Sequence, residues 1–363
     1  MPTPKNIAVV YGTRPSVIKL APVVRALRAR GAETLVVSTN QQPDLLPAAE
    51  RAMKLLPDVT LAPRAGGLGE ATGALLAALA ALFADAAPEA VVVVGDTATG
   101  LAGALAGFMA GARVAHVEAG LRTDDLRLPF PEEANRRVID QLADWHFAPT
   151  PRAVRALDNE GKAGSTWLTG NTAVDALQWA RAEYGMDGAR DPAAPVLITL
   201  HRRENWPRLP AITGALADLA HNFPGRQFIW PAHPGPAVQA AARQLRAPNA
   251  RVCAALPYDQ FLPLLLAAPL VITDSGGVQE ECACAGVPCL VVRPNTERPE
   301  AVDAGVSRLV EPGELCAVAS ELLKNPIALA DMAHPCNAYG DGRAAERIAA
   351  ILTDNEPGDS PRV

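Results

Sequence analysis

Residues 270–281 read Leu-Val-Ile-Thr-Asp-Ser-Gly-Gly-Val-Gln-Glu-Glu. An apolar strand ends at Thr273-Asp274, the chain turns at Ser275-Gly276-Gly277, and a helix follows. The two glycines let backbone come close to a ligand, and the first turn of a helix leaves amide N–H groups without intrahelical partners. With the helix dipole added, this is an anion site. Glu281 lies about one turn further in, where its oxygens can accept from sugar hydroxyls. A strand, a glycine turn and a helix carrying an acid predict a nucleotide or nucleotide sugar. An ordinary tight strand–helix turn is the plainer reading of the same residues.

The same βα pattern runs along the whole chain. Strand candidates are Ile7–Tyr11, Thr34–Ser38, Ala90–Val94, Val114–Val117, Val196–Leu200, Phe228–Trp230, Leu270–Thr273 and Cys289–Val292. Amphipathic or Ala/Leu-rich segments such as Ser16–Arg30, Gly69–Asp85 and Leu209–His221 lie between them. Short apolar strands alternating with helices mark parallel sheets covered by helices. The strands are too many for one small sheet, and a Gly/Asp/Pro-rich shift at Gly185–Pro195 precedes a new strand. The expectation is α/β: two doubly wound domains with a crossover near Gly170–Asn171. Ligands would then bind at the carboxyl ends of the strands, in a cleft between the domains. The segment Gly342–Leu352 reads as a helix able to pack on either domain, and the polar, proline-rich end Asn355–Val363 as frayed.

Composition narrows the chemistry. The chain has 363 residues, 49% of them hydrophobic, enough for a core in each of two domains. A net charge of −6 argues against bulk binding to nucleic acid or to an anionic membrane, so any polyanion site must be local. Met1-Pro2-Thr3-Pro4-Lys5 leads straight into a strand without a signal-peptide pattern, and no apolar run reads as a membrane span. The six cysteines, Cys253, Cys282, Cys284, Cys289, Cys316 and Cys336, lack zinc-type spacing. They predict reduced, mostly buried thiols in a cytoplasmic protein, with no metal.

Six further stretches carry possible chemistry. Tyr11-Gly12-Thr13-Arg14-Pro15 follows the first strand, with Lys19 on the next helix. Arg14 is a bidentate phosphate donor or a basic helix start. Gly95-Asp96-Thr97 ends an apolar strand, and Asp96 either enters a cleft or caps a helix. In His116-Val117-Glu118-Ala119-Gly120-Leu121-Arg122, Glu118 ends another buried strand and either works with Asp96 or pairs with Arg122. Two acids at neighbouring strand ends form a candidate acid/base pair. Pro129-Phe130-Pro131-Glu132-Glu133 starts a helix with acids in its first turn, where they are usual dipole partners. His201-Arg202-Arg203-Glu204 follows a strand with an imidazole suited to proton transfer or phosphate contact; His233-Pro234 follows another. In Thr296-Glu297-Arg298-Pro299-Glu300, Arg298 can reach the anion at Ser275–Gly277, while Phe261 can stack on a base or fill core.

These ordered blocks resemble the non-hydrolysing UDP-N-acetylglucosamine 2-epimerases from Ile7 to about Leu352. They are Gly-Thr-Arg-Pro (12–15), Gly-Asp-Thr (95–97), His-Val-Glu-Ala-Gly-Leu-Arg-Thr (116–123) and Pro-Glu-Glu-Ala-Asn-Arg (131–136). Gly-Asn-Thr (170–172), His-Arg-Arg-Glu (201–204), Thr-Asp-Ser-Gly-Gly (273–277) and Thr-Glu-Arg-Pro-Glu (296–300) follow. The resemblance implies a GT-B-like fold of two Rossmann-like domains. The first would take residues 1–170 plus a returning helix in 343–363, and the second, UDP-binding, 171–342. It implies a homodimer, no cofactor, and UDP-GlcNAc and UDP-ManNAc as partners. Carried over, it makes Ser275, Gly276 and Gly277 the diphosphate cradle, Glu281 the ribose ligand and Phe261 the neighbour of uracil. Arg14, Lys19 and Arg298 would contact phosphate or complete the pocket; His201 would contact phosphate and act in catalysis with Asp96, Glu118 and Glu132.

The implied reaction expels UDP and removes the C2 proton to give 2-acetamidoglucal, then adds UDP back with the opposite C2 configuration. No carbonyl acidifies that proton, so UDP departure must lead. Cations on the diphosphate and acids around C2 suit this chemistry. A GT-B glycosyltransferase, a hydrolysing epimerase releasing ManNAc and a catalytically silent UDP-sugar sensor are the alternatives. The chain departs from the family pattern in four places. Ser16 stands where Glu is usual, and Asn40-Gln41-Gln42-Pro43 stands where bacterial members carry Gln-His-Arg-Glu. Arg64-Ala65-Gly66-Gly67-Leu68 lacks the usual glutamine, and Asn205-Trp206-Pro207-Arg208 replaces a Gly-containing loop. These loops serve a second, activating UDP-GlcNAc in bacterial members, so substrate activation is expected to be weakened or absent.

Overall fold

The computed structural model describes residues 4–62, 66–186 and 190–354. It divides into two compact units, Met1–Trp179 with Tyr339–Val363, and Ala180–Ala338. The predicted crossover, Gly170–Asn171, lies in the first unit, where the Asn171 N–H donates to the Tyr339 carbonyl (2.8 Å).

The first unit is built on a seven-stranded sheet in the order β3-β2-β1-β4-β5-β6-β7. Its strands are β1 Asn6–Tyr11, β2 Glu33–Ser38, β3 Val59–Thr60, β4 Ala90–Val94, β5 Arg113–Val117, β6 Trp145–Ala148 and β7 Thr166–Leu168. Each described pair is parallel, as in Ala8↔Leu35 and Ile7↔Ala90. The central β4, Ala-Val-Val-Val-Val, is buried along its whole length. Helix Ala98–Met109 lies directly on it, because a Cβ on Gly103 would come within 2.9 Å of Val93 and one on Gly107 within 2.8 Å of Val91.

Helix Ala344–Thr353 belongs to this unit. Its first N–H groups, those of Ala344 and Ala345, donate to Asp175 on helix Thr172–Tyr184 at 3.2 and 2.8 Å. At its other end Thr353 accepts from Arg30 Nε (2.8 Å). Gly170 and Gly340 both have positive φ, and a Cβ on Gly340 would stand 3.0 Å from the Gly170 Cα. Only glycine allows that crossing of backbones.

The second unit has six parallel strands in the order β10-β9-β8-β11-β12-β13. They are β8 Val196–Thr199, β9 Phe228–Ala232, β10 Ala250–Ala254, β11 Val271–Thr273, β12 Cys289–Val291 and β13 Ser307–Leu309. The core joins Ile198, Leu216, Trp230, Ile272 and Leu290. Both sheets reverse their strand order once, between β1 and β4 and between β8 and β11. Loops at such switch points are where doubly wound sheets hold ligands. Each unit is thus a Rossmann-like α/β domain of the GT-B-like class.

Five strands escape the sequence pattern: β3, β6, β7, β10 and β13. β3, β7, β10 and β13 are edge strands, and β10 is only partly buried, so an apolar run is not required of it. β6 is interrupted by a buried His146, which is satisfied by the Asp140 carbonyl (2.8 Å). The expectation that no segment is long and apolar enough to cross a membrane fails for helix Leu68–Ala86. Its acids Glu70 and Asp85 stand near the two ends and leave the apolar run intact; Leu75, Leu79 and Phe83 pack into the first core. Part of the loop Arg64–Leu68, part of the shift Gly185–Pro195 and the tail Asn355–Val363 lie outside the described residues. The six cysteines are free thiols, and burial pushes Cys282 up and Cys284 to about 12.

Candidate active site

The site residues fall into two groups, one on each unit. In the first unit the loop after β1 needs Gly12, since a Cβ there would stand 2.1 Å from Thr39 Oγ1 and 2.2 Å from Thr99 Oγ1. Those two hydroxyls are hydrogen-bonded to one another (2.7 Å). Arg14 opens helix Arg14–Ala29, its backbone N–H donating to Gln42 Oε1 (3.0 Å). Lys19, on the buried face of that helix, forms an ion pair with Glu118. Lys19 was expected to contact phosphate or complete the pocket; in the structure its ammonium pairs with this carboxylate.

Glu118 follows β5 at φ +67°, a left-handed conformation rare for residues other than glycine. Such a cost persists where surrounding structure over-determines it, commonly at functional sites. Glu118 Oε1 also accepts from Asn171 Nδ2 (3.2 Å). Its other oxygen lies against Gly95, where a Cβ would be only 3.2 Å away. The turn before Asp96 and the Glu118 carboxylate are therefore neighbours. Arg122 does not pair with Glu118; it bonds Asp140 (2.7 Å) and Glu160 (2.9 and 2.7 Å).

Asp96 is half-buried and bonded to Arg136 Nη2, while Asn135 Nδ2 donates to its carbonyl (2.8 Å). The helix cap weighed for this turn is made by Thr97, whose hydroxyl accepts from Gly100 N (3.1 Å), leaving the Asp96 side chain out of it. Glu132, also half-buried, is the first residue of helix Glu132–Leu142. The next residue, Glu133, is fully buried and accepts from Thr123 N (3.0 Å), Arg136 (2.9 Å) and Arg137 (2.9 Å). Glu133 is thus structural, while Asp96 and Glu118 stand at adjacent strand ends and take their cations, Arg136 and Lys19, from two helices.

In the second unit Asp274 is fully buried. It accepts from the backbone N–H of His201 (2.9 Å) and Arg202 (3.0 Å) and from Asn205 Nδ2 (3.1 Å). Burial pushes its carboxyl up, against the pull of these donors. It ties the loop after β8 to the loop after β11. His201 Nδ1 lies 3.5 Å from Asp274 Oδ1, and its ring stacks on His233 with centroids 5.9 Å apart.

Ser275 precedes helix Gly276–Ala285 and makes no side-chain cap. The two glycines then serve different ends. A Cβ on Gly276 would fall 2.5 Å from Arg298 Nη1, so the guanidinium occupies the space a side chain would take. A Cβ on Gly277 meets no atom of the described residues within 4 Å. Arg298 is buried, with Nε on Glu280 (2.5 Å) and Nη1 on Glu297. Glu297 also takes Arg293 (2.8 Å) and Arg202 (3.3 Å), and so gathers three arginines. Glu281 lies on the helix and Phe261 on helix Tyr258–Ala267, both buried.

Sequence reading missed Asn135, Arg136, Asp140, Asn171, Glu280 and Glu297 as partners of the site. One signal was present. Glu132, Arg136 and Asp140 are spaced i, i+4, i+8, which puts them on one face of a helix.

A family model described as UDP-N-acetylglucosamine 2-epimerase matches residues 25–353. A relative from Ralstonia nicotianae, named a probable UDP-N-acetylglucosamine 2-epimerase, is 40% identical, over 96% of this chain and 98% of its own. The UDP-N-acetylglucosamine 2-epimerase of Escherichia coli K12 is 38% identical, over 96% and 99%. Among solved structures, the Neisseria meningitidis UDP-GlcNAc 2-epimerase bound to UDP-GlcNAc superposes with a TM-score of 0.90 at 34% identity, covering 96% and 99% of the two chains. The chain therefore belongs to the UDP-N-acetylglucosamine 2-epimerase family.

Proposed function

We propose that this chain is a non-hydrolysing isomerase that interconverts UDP-GlcNAc and UDP-ManNAc by expelling UDP to 2-acetamidoglucal and adding it back. The observation that carries the reading is Glu118, held at φ +67° with Lys19 on one oxygen and the Gly95–Asp96 turn against the other. Epimerisation at C2 needs a proton removed and one returned, and two carboxylates at adjacent strand ends supply groups for both. Asp96, Glu118 and Glu132 take these roles in the first unit; His201 is assigned to the catalytic set on the family resemblance alone. The UDP leaving group belongs on the uncapped start of helix Gly276–Ala285, with Ser275, Gly276 and Gly277 as cradle. The open space above Gly277 supports close approach of a diphosphate oxygen. Arg14 is assigned a phosphate contact on the family resemblance. Arg298 shapes the cradle from beneath, Glu281 receives the ribose hydroxyls, and Phe261 packs near uracil.

Proton NMR of the products formed from UDP-GlcNAc tests this. UDP-ManNAc is expected. Free ManNAc would make the enzyme a hydrolysing epimerase, and no product would sink the catalytic reading.

The same reading includes weakened or absent activation by a second substrate molecule. Gln41 and Gln42 make internal bonds, to Thr99 Oγ1 (2.8 Å) and Arg14 N (3.0 Å). Asn205 is turned inward onto Asp274 and the Val292 carbonyl (2.8 Å). A hyperbolic rate curve in UDP-GlcNAc is expected, and epimerisation of UDP-ManNAc supplied alone; a sigmoidal curve would count against it. A cytoplasmic, cofactor-free homodimer completes the proposal. Exposed Phe108 and Met109, at the end of helix Ala98–Met109, support a protein partner for the first unit. Light scattering on the purified chain tests the dimer.

A further inference from the structure

Asp140 takes no part in the chemistry just described, yet it is fully buried and touches three points of the segment that carries Glu118. Its Oδ1 is 2.6 Å from His116 Nδ1; its Oδ2 accepts from Gly120 N (3.3 Å) and Arg122 Nη2 (2.7 Å). Residues 116, 120 and 122 bracket Glu118. The other nitrogen of His116, Nε2, lies 2.8 Å from the carbonyl of Gly95, the residue before Asp96. The ring thus spans from the Asp140 carboxylate to the Gly95 carbonyl. One buried carboxylate thereby fixes the loop of one acid directly and the neck of the other through a single imidazole.

Helix Glu132–Leu142 acts as the ruler. Glu132 stands at its start, Arg136 one turn on bonds Asp96, and Asp140 one turn further holds the Glu118 segment. We propose that Asp140 is a positioning residue for the epimerase reaction, holding Glu118 in its left-handed turn and, through His116, fixing its spacing to Asp96. The inference rests on the function proposed above. The strain at Glu118 supplies the reason such a clamp is needed: a residue at φ +67° relaxes towards ordinary backbone unless the flanking groups are tied down. A carboxylate displaced by about 1 Å from a reacting C–H loses on the order of a hundredfold in rate.

The test is Asp140→Asn in the full chain with UDP-GlcNAc as substrate. kcat is measured per folded molecule, the folded fraction being taken from thermal melts, alongside KM and the calorimetric Kd of UDP. Positioning predicts a kcat loss of about ten- to a hundredfold with KM and UDP affinity within about twofold, because the cradle for UDP lies on the other unit. Glue without a positioning role would change the melt and leave kcat of the folded enzyme alone; a folded variant keeping half or more of the wild-type kcat overturns the proposal. Should Asp140→Asn fail to fold, His116→Gln carries the test: one amide cannot serve both Asp140 and Gly95, and the same kcat loss is expected. Wild-type kcat in His116→Gln overturns the proposal. In the double variant the losses should not multiply, since both act along one path; multiplied losses also overturn it. A wild-type chain that makes no UDP-ManNAc sinks the proposed function instead, which separates the two failures.

Discussion

The two neighbouring glycines of the helix start invite opposite outcomes from one substitution. In Gly276→Ala the new Cβ would stand 2.5 Å from Arg298 Nη1, 2.6 Å from Cζ and 3.1 Å from Nε. The guanidinium must move by roughly 1 Å to restore ordinary contact. It is not free to swing, because Glu280 and Glu297 hold it in a buried setting. Stretching one such charge-assisted bond costs about 3 kcal/mol. For a unit of this size that lowers the melting temperature by roughly 6–12 °C. In Gly277→Ala the Cβ meets open space at ordinary helical φ, so the ligand-free protein should gain about 0.5 kcal/mol from the less flexible unfolded chain. The methyl would, however, fill the approach to the cradle, and UDP affinity should fall by an order of magnitude or more, about 1.4 kcal/mol at the least. Differential scanning calorimetry and UDP titration calorimetry read both effects. A Gly276→Ala melt within about 2 °C of wild type would show that Arg298 yields. Wild-type UDP affinity in Gly277→Ala would refute the cradle assignment.

Asp96→Asn and Glu118→Gln should each cut turnover by two orders of magnitude or so while leaving UDP binding in place, since general acid/base groups contribute about 10²–10⁴-fold; near wild-type turnover in both would remove the acids from the chemistry. Asp274→Leu would leave three donors from His201, Arg202 and Asn205 without their acceptor, costing at least about 3 kcal/mol. Unchanged denaturant midpoints would disprove that role. Asp140 offers an acid-range test. Burial pushes its carboxyl up, but the His116 and Arg122 contacts outweigh this and lower it from 3.8 to about 2. A carboxylate depressed on folding stabilises the native state above its unfolded pKa, so this contribution of about 2 kcal/mol is present above pH 4 and is lost as pH falls towards 2. Stability of Asp140→Asn should therefore fall less steeply below pH 4 than that of wild type, and parallel acid limbs would contradict the assignment.

The central strands were legible because β1, β4, β5, β8 and β11 are buried over most of their length and are therefore mostly apolar. The edge strands were not, because an edge can be short or half-exposed without losing the sheet. Helix Leu68–Ala86 misled in the other direction: alanine and leucine serve a core helix and a membrane span alike, and only its packing places Leu75, Leu79 and Phe83 in a core.

What the sequence determined alone is which polar groups stand at the strand ends, since a strand–turn–helix junction is local and its residue types reveal it. Asp96 after β4, Glu118 after β5, His201 after β8 and the Ser275–Gly277 turn after β11 needed no distant information. What only the tertiary structure decided is who partners whom. Lys19 meets Glu118 across 99 residues of sequence, Arg136 meets Asp96 across 40, and Arg298 meets Glu280 across 18. Such pairs depend on how helices lie over a sheet, and a charge written in a sequence carries its sign but not its direction. That is why Gly276 and Gly277, identical as letters, part company in the fold: one makes room for an arginine, the other faces space that no described residue fills.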